Sequence, residues 1–175
     1  ISRAIYMISQ VKRILPIESL RTLYFAMIHP HISYNIMTWA NVTNLDKAKL
    51  NKLQKRAIRT INKANYNSHT DPLFKQAKIL KVEDQLIYES MLFMHDYLNN
   101  MLPISFNGMF VSNLERRPNV HTRQSNLLHV PRCYTNFARK LPPYVLPSIW
   151  NRYHTIELET RSTTKRKLKH IMLDT

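Results

Sequence analysis

The sequence predicts a mainly α protein: a helical bundle, then an extended Pro/Arg-rich segment that wraps over it, then a short C-terminal helix. Apolar residues recur at helical spacing through most of the first 100 residues. Residues 111–150 hold five prolines and six basic residues without a sustained period. We therefore predict a helical domain over residues 1–110 and an extended basic segment over residues 111–175 that ends in the short helix.

The first helices follow from the apolar spacing and the prolines. Residues 1–14 carry apolar side chains on one helical face, and Pro16 ends that pattern. A second helix is expected to begin at Glu18 and to kink or end at Pro30. Residues 32–39 remain apolar and fit either a helix or a strand, because periodicity does not distinguish the two in so short a run.

Four later helices are expected. Residues 45–63 form a basic amphipathic helix, and Asp71 as N-cap with Pro72 at the first helical position starts a short one. Residues 82–98 are apolar around much of the circumference, which indicates a helix buried within the bundle with its methionines as core filling. Residues 163–173 form the capped basic helix at the end.

Glycine is nearly absent, and this excludes some functions. Gly108 is the only glycine, so no glycine-rich phosphate loop of a nucleotide hydrolase or dinucleotide-binding enzyme is present. Asparagine best tolerates left-handed backbone after glycine, and we expect it to close helices. The candidate asparagines are Asn35, Asn44, Asn65, Asn67 and Asn100.

The charge balance favours an anionic partner. Lys and Arg number 26 against 11 Asp and Glu, which gives a formal net charge of +15. Nucleic acid and an anionic membrane surface are the partners that such an excess favours. No run of about 18 apolar residues predicts a transmembrane helix. Cys133 is the single cysteine, which excludes an intramolecular disulfide and fits a reducing compartment.

The strongest charge feature is the basic helix, which carries seven cations in residues 45–63. On a helical wheel the apolar arc comprises Leu50, Leu53, Ala57, Ile58 and Ile61. The opposite arc comprises Lys49, Lys52, Lys55, Arg56, Arg59 and Lys63, with Lys47 outside it. We therefore predict that one face docks on a core and the other meets an anion.

No catalytic or metal site is expected in this chain. The histidines and Cys133 do not stand at ligand spacing, and no base is assigned to the thiol. Glu83 and Asp84 are adjacent on a helix and point in different directions, so they favour the helix N-terminus rather than acid–base work. Tyr66, Tyr134 and Tyr144 lie near basic residues and could stack on bases, but packing is the favoured interpretation.

Several strings resemble one protein family. They are SLRTLYFAMIHPHISY at residues 19–34, closing on Thr38 and Trp39, then LQKRAIR at 53–59, HTDPLF at 69–74, TRQSN at 122–126, VPR at 130–132 and SIWN at 148–151. In order and approximate spacing they resemble the region after the palm in reverse transcriptases of non-LTR retrotransposons, the LINE elements of jockey and CR1 type.

The resemblance implies a thumb-like helical domain and a C-terminal tail of an RNA-directed DNA polymerase. In that family the thumb grips the primer–template duplex by its backbone. The polymerase residues and their divalent metal belong to the palm, which has no counterpart here, so no catalysis and no cofactor are expected of this chain alone. Expected partners are RNA, DNA or an RNA–DNA hybrid, and the upstream palm and fingers of the same polyprotein. The expected location is intracellular, in nucleus and cytoplasm.

The expected phosphate contacts combine both lines of inference. The primary ones are Lys49, Lys52, Lys55, Arg56, Arg59 and Lys63, and the secondary ones are Arg123 and Arg132. The alternative is a diverged or domesticated basic helical module that binds an acidic protein partner. A membrane-surface role is weaker, because the apolar face of residues 45–63 is needed for the core and lacks interfacial Trp or Phe.

Overall fold

The computed structural model describes residues 1–39, 44–119, 122–153 and 160–174. They are mainly helical, which confirms the predicted fold class. The helices are α1 (Ser2–Val11), α2 (Ile17–Met27), α3 (His29–Ser33), α4 (Ile36–Trp39), α5 (Asn44–Ile61), α6 (Asp71–Ala77), α7 (Val82–Leu98), α8 (Asn113–Arg116), α9 (Pro142–Tyr153) and α10 (Arg161–Asp174). The described residues form no strand; they contain one isolated antiparallel bridge, between Ser112 and Leu128.

The chain divides into two compact units. Unit 1 comprises Ile1–Leu86 and Leu168–Thr175, and unit 2 comprises Ile87–Lys167. The division groups residues 87–110 with the later part of the chain. The domain boundary predicted at residue 110 is a statement about which part of the chain folds independently. The division into compact units does not measure independent folding, so that boundary stays a prediction.

The core of unit 1 is built by the helical faces that the apolar spacing predicted. Isoleucines and leucines of α1, α2 and α5 are buried together with the ring of Phe74 from α6. Residues 32–39, for which the sequence allowed either a helix or a strand, belong mainly to helices α3 and α4. Ile32 of α3 and Ile36 of α4 are buried. Burial of these two isoleucines in the core therefore favours the helical conformation, which the spacing of apolar residues alone could not distinguish from a strand.

One polar side chain crosses this core. Gln54 of α5 is only 2% exposed. Its Nε2 donates to the Tyr24 hydroxyl at 3.1 Å and to the Leu80 carbonyl at 2.9 Å, and its Oε1 accepts from the Val82 amide at 3.2 Å. One amide thus satisfies groups from α2 and from the segment that leads into α7. Because buried polar groups without partners are costly, this network selects the rotation of α5 about its axis.

The burial of Tyr24 makes unit 1 sensitive to alkali. Desolvation raises the pKa of the Tyr24 phenol from 10.0 to about 12, and the hydrogen bond from Gln54 opposes that rise. Above pH 10 the unfolded chain loses this proton while the folded chain keeps it, so stability falls as pH rises and the loss is complete near pH 12. The free energy of unfolding should fall by up to about 3 kcal/mol over that range.

The measurement is urea denaturation at several pH values for the wild type and the variant Tyr24→Phe. Other groups titrate in both proteins, so the difference between their two losses of stability reports the Tyr24 phenol alone. The Phe variant should lose less stability between pH 10 and pH 12. Equal losses in the two proteins would contradict the assignment.

Unit 2 has its own core. Met91 and Met94 of α7 are fully buried, which confirms the prediction of methionines as core filling. The Tyr97 ring meets Phe110 edge to face, with centroids 4.9 Å apart. Asp96 is buried too, and its Oδ2 pairs with Arg161 Nη2 at 2.9 Å. Pairing with an arginine offsets part of the cost of burying a carboxylate.

The prediction that residues 111–150 are extended is wrong for residues 142–150, which belong to α9, and for the short helix α8. Pro142 and Pro143 stand in the first turn of α9, where a proline lacks only an amide that would be unpaired in any helix. Pro147 lies within α9 and removes one backbone hydrogen bond, but its ring is buried. Proline content therefore misled the prediction.

Two smaller predictions about helix ends differ from the structure, one of them only in part. The N-cap of α6 is Thr70 rather than Asp71, and the Asp71 carboxylate pairs instead with Lys81 Nζ at 2.9 Å. Asn35 and Asn100 have positive φ as expected, at 49° and 53°. Lys63 and Lys78 hold the other positive φ values of non-glycine residues in the described chain, whereas Asn65 and Asn67 do not and Asn44 begins α5.

Candidate nucleic-acid interface

The two predicted faces of α5 are confirmed by burial. Ala57, Ile58 and Ile61 are fully buried against the core of unit 1, and Leu50 and Leu53 are packed partly against it. On the other side Lys49, Lys52, Lys55 and Arg56 are exposed. The cationic face comprises these four residues together with Arg59 and Lys63. Since its apolar side is held by the core, the cationic face is presented to solvent.

Two acids lie beside the cationic face, near its N-terminal half. Lys49 Nζ pairs with Asp46 Oδ1 at 3.4 Å, one turn earlier on α5. The hydrogen bond from Lys81 is the main cause that lowers the pKa of the Asp71 carboxyl, and Lys55 contributes a smaller electrostatic effect. Lys49 and Lys55 are therefore partly compensated. Lys52, Arg56 and Lys63 form no ion pair with any residue that the structure describes.

Arg59 is the most constrained cation of the face. It is half-buried, its Nε donates to the Ser68 carbonyl at 2.9 Å, and its guanidinium carbon lies 6.0 Å from the centre of the Tyr66 ring. The hydrogen bond ties the loop after α5 back to the helix. Arg59 thus holds the local structure, and its Nη atoms remain the part of the side chain that can contact a phosphate.

Lys63 lies beyond the helix rather than on it. The helix was predicted to residue 63, but α5 ends at Ile61 and Lys63 takes a left-handed conformation with φ 53°. The Ala64 amide donates to the Arg59 carbonyl at 2.9 Å and the Lys63 amide to the Thr60 carbonyl at 3.3 Å, which is a Schellman motif. The side chain remains exposed, and its charge lies at the end of α5 where a cation complements the helix dipole.

A cleft of about 220 Å³ lies between α1 and α5 and is lined by both helices and by the loop after α5. Ile5 contributes an apolar wall, while Lys12, Arg56 and Arg59 contribute three cations. Lys12 was not among the predicted contacts, because it lies 44 residues before Arg56 in the sequence and only packing brings the two side chains together. Its position one turn after the buried Ile8 was the available signal.

Two of the three tyrosines contradict the favoured interpretation that they are packed. Tyr66, at this cleft, is 85% exposed, and Tyr134 in unit 2 is 84% exposed, with Arg132 over its ring at 5.5 Å. Tyr144 is partly buried in α9. An exposed ring beside an arginine is the arrangement that stacks on nucleobases.

The secondary contacts Arg123 and Arg132 lie in unit 2, and both are exposed. Arg123 is carried by a turn in which the Ser125 hydroxyl oxygen accepts from the Thr122 amide at 2.7 Å and donates to the Thr122 carbonyl at 2.7 Å. The TRQSN string thus encodes a tight turn that displays one arginine.

Sequence reasoning missed a second basic group in unit 2. Arg116 and Arg117 line a cleft of about 270 Å³ together with His129. Partial burial is the main cause that lowers the pKa of the His129 imidazole, and the charges of Arg116 and Arg117 add to it. Arg116 Nη1 lies 3.0 Å from Nδ1 and 2.5 Å from Nε2 of this ring. The adjacent arginines after Glu115 were the available signal.

The SIWN string has a structural role. Asn151 Oδ1 accepts from the Leu128 amide at 3.0 Å, and its Nδ2 donates to the Leu128 carbonyl at 2.8 Å. The side chain thus pairs with a backbone as a strand would, and it connects α9 to the segment that leads into VPR. The SIWN string is therefore tied to the backbone at Leu128, which lies between the TRQSN and VPR strings.

Comparison with known proteins adds no relative, since no family model, curated protein or solved structure matches the chain. The resemblance to LINE reverse transcriptases therefore stays a prediction. In the described residues no three His, Cys, Asp or Glu side chains are grouped as metal ligands would be. Among those same residues, no helix has the length and apolar content needed to span a membrane.

Proposed function

We propose that this chain is a non-catalytic C-terminal part of a retrotransposon RNA-directed DNA polymerase and binds the backbone of its primer–template. The single observation that carries the proposal is the cationic face of α5, which the buried Ile58 and Ile61 hold toward solvent. Lys52 and Arg56 on that face have no acidic partner in the described chain. The chain's task is to hold a substrate on which another part of a longer protein acts.

The spacing of the cations fits a polymer of phosphates. Residues three and four apart on a helix are neighbours, with Cβ atoms about 5–6 Å apart. Lys52, Lys55, Arg56 and Arg59 follow this spacing and so form a continuous row. Duplex nucleic acid carries about one charge per 1.7 Å of its axis, so phosphates are dense enough for each cation of the row to reach one. Lys12, which caps the C-terminal end of α1, extends the row through the shared cleft.

A second candidate function rests on Asp46 and Asp71, which lie beside the cationic face. Flanking acids give the mixed signs that are common at protein interfaces. A basic helical module that binds an acidic protein would use the same face. It predicts weak binding to nucleic acid and competition by an acidic polypeptide.

The test is equilibrium binding of an RNA–DNA hybrid across a salt series. For about six phosphate contacts, affinity should fall about 1,000-fold between about 50 mM and about 200 mM salt, because each contact releases counterions. Hybrids of unrelated sequence should bind alike, since phosphate contacts carry no sequence information. Polyglutamate serves as the competitor.

Three results would count against nucleic-acid binding. They are no binding at about 50 mM salt, an affinity that does not change with salt, and displacement of the hybrid by an equal charge concentration of polyglutamate. The third result would favour the acidic protein partner.

A further inference from the structure

The cleft between α1 and α5 combines charge with an exposed aromatic ring. Lys12 and Arg56 contribute cations, and the Ser9 and Thr60 side chains contribute hydroxyl groups. Tyr66 stands at the edge with most of its ring in solvent. This is a different chemistry from the open row of Lys49, Lys52 and Lys55, which carries no aromatic side chain.

The position of the Tyr66 ring is supported by its neighbours. Arg59 lies over the ring and is itself tied to the Ser68 carbonyl. The residues before and after the ring are also held, since the Ala64 amide bonds to α5 and the Ser68 amide donates to the Asn65 carbonyl at 3.1 Å. An exposed ring whose loop is already ordered loses little entropy when a planar group stacks on it.

We propose that this cleft binds an unpaired nucleotide at the end of a nucleic-acid strand. The base stacks on Tyr66, and its phosphate lies between Lys12 and Arg56. This inference rests on the proposed function, and it names the substrate at one end of α5 as a junction between duplex and single strand.

The occupant follows from the chemistry of the cleft. A base inside a duplex is stacked on its neighbours, so its faces cannot meet a side chain without being extruded. An unpaired base offers a free face, and every base has one, so the site is tolerant of sequence. The cations next to the ring supply the partner for the phosphate that follows the base.

The experiment compares a blunt RNA–DNA hybrid with hybrids that carry a single-stranded extension of about four nucleotides. Extensions at the 3′ and 5′ ends are tested separately, with 2-aminopurine at the first unpaired position. The wild type should bind one of them about tenfold more tightly than the blunt hybrid, the size of one stacked base. The 2-aminopurine fluorescence should change on binding, because stacking on the ring alters its emission.

The variant Tyr66→Leu should remove the tenfold preference and the fluorescence change while leaving affinity for the blunt hybrid unaltered. Tyr66→Phe should keep both, because stacking needs the ring and not the hydroxyl. Tyr34→Leu is the control, since that ring is 82% exposed and lies outside the cleft. It should bind as the wild type does. Because Tyr66 is exposed, the Leu variant is expected to fold normally.

The outcomes separate this inference from the proposed function. Tight blunt-hybrid binding without any preference for an extension overturns the inference and leaves the proposed function standing. If a single strand binds in a way that depends on Tyr66 and the blunt hybrid does not bind, the proposed function is overturned and the assignment of the cleft stands. A preference lost equally in Tyr34→Leu overturns the assignment to this cleft. Equally tight binding of free AMP overturns the proposal of a strand end.

Discussion

The triple variant Lys52→Glu/Lys55→Glu/Arg56→Glu is expected to bind an RNA–DNA hybrid at least about 100-fold more weakly than the wild type. Each replaced cation removes one charge-assisted contact, worth about 1.5 kcal/mol or more, and the new carboxylates repel the phosphates. All three side chains are exposed, so the core of unit 1 is untouched. Fluorescence anisotropy with a labelled blunt hybrid at about 100 mM salt measures the change.

The salt dependence should change together with the affinity. Loss of three phosphate contacts lowers the slope of log affinity against log salt by about 2.7. The control is Arg139→Glu/Lys140→Glu/Lys165→Glu, which makes the same change in net charge at exposed positions outside α5. It should keep the slope, because none of its three substitutions lies on the cationic face of α5 that is proposed to contact phosphates. Equal losses in the two variants would show that net charge, and not the cationic face, governs binding.

The variant Gln54→Met is expected to destabilise unit 1 by about 3–5 kcal/mol. Methionine keeps the length of the side chain but leaves three buried groups without their partner: the Tyr24 hydroxyl, the Leu80 carbonyl and the Val82 amide. Each unsatisfied buried group costs about 1–3 kcal/mol. Urea denaturation followed by circular dichroism should show a lower midpoint.

The control for this variant is Gln76→Met, which makes the same change at an exposed position on α6. It should alter the free energy of unfolding by no more than about 0.5 kcal/mol. A loss of similar size in the two variants would mean that the amide network contributes little. Because Gln54 lies between Lys52 and Lys55 on α5, we also expect Gln54→Met to weaken hybrid binding.

Much of unit 1 could be predicted from the sequence, because its helices pack by faces that apolar spacing reveals. The α5 face is the clearest case, since Ile58 and Ile61 had to be buried for the cations to be exposed. The ends of helices were less predictable. After α5 it is Lys63, and not an asparagine, that has the left-handed backbone conformation. A helix ends where its buried face ends, and the residue at that point takes the left-handed conformation even when asparagine would tolerate it better.

The cleft could not be predicted, because its residues come together only through tertiary packing. Lys12 and Tyr66 lie on opposite sides of α5 in the sequence, and neither carries a motif. Helix α9 was missed for a different reason. Three prolines counted against a helix, yet two stand where a first turn tolerates them and the third is buried.

The length of α5 gives the proposed complex a scale and a direction. Its 18 residues extend for about 27 Å. At a rise of about 3.4 Å per base pair, this corresponds to a footprint of about eight base pairs, which is less than one turn of duplex. Tyr66 follows the C-terminal end of the helix, so a duplex held along α5 has its open end at Tyr66 and its paired part toward Asn44. In the proposed complex, the direction of α5 from its N-terminus to its C-terminus is therefore the direction from the paired part of the substrate to its unpaired end.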